Sequence, residues 1–158
     1  MRNNQRVSRF PVPILLTLLT LFVFRMVLFI GYVPSASMEP TLQAGSFIIG
    51  SRFIGDPGKG DIIVFYHDGK LLVKRIAACP GEIVDRSELS YMTSVPIPAW
   101  DDPELVIPEG CYFVLGDNSQ DSFDSRYWDD PFVRTCDIVA CVFVNGELDF
   151  LTLKENIL

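Results

Sequence analysis

The 158-residue chain holds one histidine, His67, and four cysteines, Cys79, Cys111, Cys136 and Cys141, with no C-x-x-C spacing among them. Zinc sites draw on clustered Cys and His ligands, so this pattern implies no metal. Nor does a G-x-S-x-G signature accompany His67. A Ser-His-Asp triad through that residue therefore lacks its usual nucleophile setting, and an exposed turn residue is the default reading. Residues 1–33 contain no acid, and the chain has neither internal repeats nor a low-complexity tract. After residue 33 no stretch sustains a helical period.

What is present is apolar and unevenly placed. Hydrophobic residues make up 49% of the chain, and mean hydropathy is +0.28. Residues 11–33, PVPILLTLLTLFVFRMVLFIGYV, are apolar apart from two threonines, one glycine and Arg25. A hydrocarbon core takes roughly 20 apolar residues to cross, so this run is expected to be a single transmembrane helix. It exceeds the roughly 7–15 residues of a cleaved secretory signal. Arg25 lies near the outer end, where its stem can snorkel and reduce the cost of about 2.5–3.5 kcal/mol expected at mid-bilayer.

Arg2, Arg6 and Arg9 precede the run, which places residues 1–10 in the cytoplasm by the positive-inside rule. Residues 34–158 are then expected outside the plasma membrane as one domain with its own core. Nine bases against 20 acids follow residue 33, a formal charge of −11. A phosphate backbone would be repelled, which argues against nucleic acid as a partner. Outside the membrane the four cysteines are free to form disulfides. Three full connectivities and four unpaired thiols all stay open.

Beyond the apolar run, SFIIGSRFI, DIIVFYH, LLVKRIAA, EIVD, CYFVLGD, IVACVFV and LDFLTL alternate as short strands. GDPGKGD, HDGK, CPGE and VNGE between them are turn chemistry. The expectation is a mostly β fold, a compact barrel or sandwich. Residues 86–108 contain four prolines and little alternation, and read as an extended loop.

Three segments carry candidate chemistry. In VPSASMEPTLQAGS, Ser35 and Ser37 lie between Pro34 and Pro40, whose restricted geometry holds a serine in a fixed frame. In the strand containing LLVKRI, alternation sets Leu72, Lys74 and Ile76 on one face. A lysine on an apolar face either snorkels outward or is desolvated, and desolvation yields a neutral amine able to act as a base. The third segment, GDNSQDSFDSRYW, packs Asp117, Asp121, Asp124, three serines and Arg126 after a strand. A calcium loop would need glycine and glutamate where Ser122 and Trp128 stand, so a hydrogen-bonded brace fits better.

PSASMEPTL, then VKRIAACPGE, then GDNSQDSFDSRYW, in this order behind FRMVLF and GDIIVF, resemble the type I signal peptidases, bacterial membrane proteases with a Ser–Lys dyad. The likeness covers most of the chain and is closest to the compact, single-anchor form. It implies Ser37 as nucleophile and Lys74 as general base, with Ser35 lending a hydroxyl to the oxyanion hole. By the same resemblance Ser122 orients the lysine, and Asp124 and Arg126 support the site. Val33 and Val73 match positions that line shallow pockets for small substrate side chains. Ala140 and Cys141 depart from the family's usual glycine followed by Lys or Arg.

The resemblance implies removal of signal peptides from secretory preproteins after Ala-x-Ala-type sites, with membrane lipid as surroundings and no metal or organic cofactor. Two other readings stay open at this stage. One is a relative dedicated to a pilin or plasmid-transfer substrate. The other is a catalytically silent, membrane-tethered β module that binds partners.

Overall fold

The computed structural model of the chain describes residues 11–91 and 104–143. Its first element, helix α1 (Pro11–Val27), passes directly into strand β1 (Leu28–Tyr32). The run from 11 to 33, expected as one helix, therefore divides. Among the described residues no helix is long and apolar enough to cross a membrane. The switch has a local cause. Phe29, Ile30 and Tyr32 suit a pleated surface, and β1 pairs over its whole length with β2 (Phe47–Ser51), from Leu28 opposite Ser51 to Tyr32 opposite Phe47. The Arg52 backbone N–H donates to the Val27 carbonyl at 2.8 Å and its Nε to the Leu28 carbonyl at 3.3 Å. These bonds satisfy carbonyls that a helix end leaves open.

The remaining elements are β3 (Ile62–His67), β4 (Lys70–Ala78), β5 (Ile83–Asp85), α2 (Arg86–Tyr91), β6 (Glu104–Val106), β7 (Cys111–Leu115), β8 (Val133–Arg134) and β9 (Ile138–Val142). Seven strands form one antiparallel sheet in the order β1-β2-β9-β3-β4-β7-β8, and β5 pairs with β6 separately. The fold is thus mostly β, as alternation implied, but not a closed barrel: among the described residues β1 and β8 are the edges of the sheet. Register shifts between Val64 and Phe65 and between Ile76 and Ala78 break the ladder locally, and such bulges bend and twist strands.

Residues 86–108, expected as a loop, contain α2 and β6. Pro108 lies beyond the end of β6, so it does not interrupt the pairing with β5. The expected LDFLTL strand lies outside the described residues.

Four consecutive residues of β3, Ile62 to Phe65, are buried, so both faces of this central strand are covered. Ile62 and Val64 join Phe29, Val33, Met38 and Leu42 in one core. Ile63 and Phe65 join Ile76, Val114 and Trp128 in a second. Fully burying such side chains contributes about 1.5–3 kcal/mol each. The two cores make β3 and its neighbour β4 the rigid centre from which Lys74 projects.

Candidate active site

Beyond β1 the chain turns back on itself. Val33 donates its N–H to the Ser46 carbonyl at 2.9 Å, and a short 3-10 turn follows over Ala36–Met38. Met38 is fully buried, and the Leu42 N–H donates to its carbonyl at 2.8 Å. Those two apolar side chains pin the turn into the core, which leaves Ser37 buried but at the edge of the packed region.

Lys74 meets it there. Alternation along β4 buries Lys74, Ile76 and Ala78, and Ile63 is its cross-strand neighbour. Its Nζ lies 2.7 Å from Ser37 Oγ and donates at 3.0 Å to Ser122 Oγ. Burial lowers the Lys74 pKa from the ordinary lysine value; the Asp124 carboxylate opposes the shift and the Arg126 charge adds to it. At 4% exposure the ammonium has lost almost all its water, so the direction follows from desolvation.

The loop after β7 supplies the support. Ser122 Oγ donates to Asp124 Oδ2 at 2.6 Å. Asp124 also accepts from the Gly116 N–H at 2.9 Å and from Arg126 Nε and Nη2, each at 2.8 Å. Ser125 anchors the loop to β7, its Oγ accepting the Val114 N–H at 3.0 Å. The Arg126 guanidinium lies over the Tyr127 ring at 5.3 Å, and its Nη1 is buried without a hydrogen-bond partner among the described residues. A forked, fully buried pair of this kind fixes orientation more than it adds stability.

Six of the sequence-derived site residues thus form one continuous set: Ser35, Ser37, Lys74, Ser122, Asp124 and Arg126. Ser35 is exposed at the turn's entry and its Oγ donates to Ser37 Oγ at 3.3 Å. Val33 is buried in the first core, with Val73 half-buried against the same cluster. His67 is elsewhere, stacked on Trp128 with ring centroids 3.8 Å apart and 3.7 Å from the Asp68 carboxylate. All four cysteines are unpaired, and burial pushes the Cys141 thiol up to about 11.

The sequence reading missed three participants. Gly116 is one: a Cβ there would collide with Ser122 Oγ and the Ser37 carbonyl oxygen. Asn118 is the second, donating its backbone N–H to the Ser37 carbonyl at 3.0 Å and its Nδ2 to the Ala36 carbonyl at 3.2 Å. The third is the Arg75–Asp117 pair, bonded at 2.7 and 2.6 Å, with Arg75 also donating to the Gly60 carbonyl at 2.7 Å. Burial alone would raise the Asp117 carboxyl, but its bonds to Arg75 and Thr41 hold it below the usual carboxylate range. A glycine directly after a buried strand was the available signal, since it marks a close backbone approach.

A buried amine against a serine hydroxyl, braced by a hydroxyl and a paired carboxylate, is an arrangement in which a neutral amine can take the hydroxyl's proton. The chain belongs to the signal peptidase family, peptidase S26, whose model matches residues 7–93 and 87–145. It is 28% identical over 160 residues to signal peptidase I of Pseudomonas fluorescens, covering 63% of this chain and 55% of that one. With probable signal peptidase I-2 of Synechocystis sp. the identity is 34% over 119 residues, covering 61% and 54%. With signal peptidase I of Bacillus caldolyticus it is 31% over 157 residues, covering 80% of each. The chain spans about half the length of the first two.

Proposed function

We propose that this chain is a serine endopeptidase that removes N-terminal signal peptides from secretory preproteins, cutting after small residues at Ala-x-Ala-like sites. The observation that carries the reading is the 2.7 Å approach of a buried, pKa-lowered Lys74 amine to Ser37 Oγ in a chain of the signal peptidase family.

Ser122 spends its hydroxyl hydrogen on Asp124, so its lone pair accepts an N–H of Lys74. The lone pair of the neutral amine is then directed at Ser37. As Oγ attacks the scissile carbonyl, Lys74 takes its proton, the Oγ–C bond forms and the carbonyl π electrons move onto oxygen. The Ser37 N–H and the Ser35 hydroxyl stabilise that oxyanion. Collapse expels the new amine, which takes the proton from Lys74, and water then repeats the sequence on the acyl ester. Asp124 and Arg126 hold Ser122 in place. Val33 and Val73 are assigned to the walls of shallow apolar pockets that reject larger side chains by overlap.

The apolar run is assigned to a single-pass attachment in the plasma membrane, with residues 1–10 cytoplasmic and 34–158 outside. Ile30, Tyr32, Phe47 and Ile49, all more than half exposed, extend the apolar surface of α1 onto the β1–β2 hairpin and support contact with lipid. Preproteins held in the same bilayer meet the site at raised effective concentration.

Cleavage of a test preprotein in detergent, with product termini read by mass spectrometry, decides the matter. The wild type is expected to cut after a small residue, while folded Ser37→Ala and Lys74→Ala lose several orders of magnitude in kcat. Full activity in Lys74→Ala would move the base elsewhere, and a silent wild type would favour a binding module.

A further inference from the structure

The 3-10 turn carrying Ser37 has one polar neighbour that the reaction scheme leaves without a task. Asn118 reaches it twice, through its backbone N–H to the Ser37 carbonyl and its Nδ2 to the Ala36 carbonyl. The second bond bears on the chemistry. Ala36 C=O and Ser37 N–H belong to one peptide group, which is planar, so fixing the carbonyl direction fixes the N–H direction opposite to it. The first N–H groups of a helical turn have no partner within it, and among the described residues Ser37 N–H has no protein acceptor.

We infer that Asn118 is a positioning residue of the oxyanion hole, its side chain aiming the Ser37 N–H at the developing oxyanion by holding the Ala36 carbonyl. This rests on the Ser37–Lys74 reading above. Among the described residues the Ala36 carbonyl is otherwise held only by the Glu39 N–H at 3.0 Å, a bond within the turn itself. Asn118 ties the same oxygen to a different part of the chain. That part, the start of the loop after β7, is itself fixed by Asp117 on Arg75 and by Gly116 N–H on Asp124. The peptide plane is thus referenced to the frame that holds Lys74, and the donor and the base keep a constant relation.

Preorganised donors matter most where negative charge develops, and losing one costs about 10²–10³ in kcat. A donor retained but loosely aimed loses part of that. Asn118→Ala should lower kcat about tenfold or more with KM changed less than twofold. It should weaken a substrate-like peptide aldehyde, whose tetrahedral adduct on Ser37 carries the oxyanion, by the same factor. Affinity for the cleaved product peptide should stay unchanged, as should the acid limb of the pH profile, which reports Lys74. Asn118→Asp, of equal size but without the Nδ2 donor, should lose at least as much when assayed above that limb. It keeps the test open should the alanine variant fail to fold.

Equal weakening of aldehyde and product, or a shifted acid limb in Asn118→Ala, would assign Asn118 to general scaffolding and overturn the inference. So would activity within twofold of wild type. A wild type that neither cleaves nor binds the aldehyde would instead overturn the Ser37–Lys74 reading on which the inference stands. Ser37→Ala run in parallel separates these outcomes.

Discussion

On the proposed reading, Lys74 is the residue whose protonation sets the behaviour of the site. Its folded pKa is depressed by burial, so the unfolded chain binds more protons in the window between the folded value and the ordinary lysine value. Stability therefore rises with pH through that window and is at its lowest below it. Lys74→Met keeps the volume and removes the buried cation. It should raise Tm at neutral pH, with the gain shrinking as the ordinary lysine pKa is approached, as thermal melts across pH would record. Activity has the same sign: cleavage should climb as pH rises through the folded Lys74 pKa, reaching its plateau at lower pH than an unshifted lysine would allow. At this scale the sequence was informative. Period-two alternation put Lys74 on the face of Leu72 and Ile76, and β4 buries that face from Lys74 onward. Asn118 was not legible, because its contacts cross 82 positions of chain and nothing local marks them.

At the scale of elements, the loop from Gly116 to Arg126 behaves as one part. Two ion pairs tie it down, and their burial separates their weights. Arg126 is 1% exposed and pairs with a fully buried carboxylate; Arg126→Met would leave that charge uncompensated and cost about 3–5 kcal/mol by urea denaturation. The Arg75 side chain is 32% exposed, and Arg75→Met should cost about 1 kcal/mol or less. Gly116→Ala should abolish cleavage while deleting no functional group, since its Cβ would occupy the space of Ser122 Oγ and the Ser37 carbonyl. Other elements were hidden from the sequence for physical reasons. An apolar run long enough for a span masks the strand at its end, and only the pairing with β2 reveals β1. The six residues of α2 are too few to display a helical period, and Leu89 buried beside Ala78, Ile107 and Phe113 holds it in place.

At the scale of the molecule, the described residues form an open sheet rather than a closed one, with β1 at one edge and an outward apolar hairpin face after α1. Phe47, 74% exposed and in edge-on contact with Tyr32, stands on that face at the end of the hairpin away from α1. Phe47→Asp should reduce association with lipid vesicles, measured by co-sedimentation, while leaving cleavage of a detergent-solubilised peptide unchanged. An unaltered vesicle-bound fraction would remove the hairpin from the contact.

The absence of any residue between Val27 and Leu28 makes the junction a gauge. Helix becomes strand without slack, Arg52 clamps the join, and five strand residues at about 3.3 Å each then lead toward Ser37. If α1 sits in the bilayer, as proposed above, the length of β1, about 16 Å, bounds how far the strand can carry the chain from the helix end before the turn bearing Ser37 begins, and the backbone itself is the yardstick.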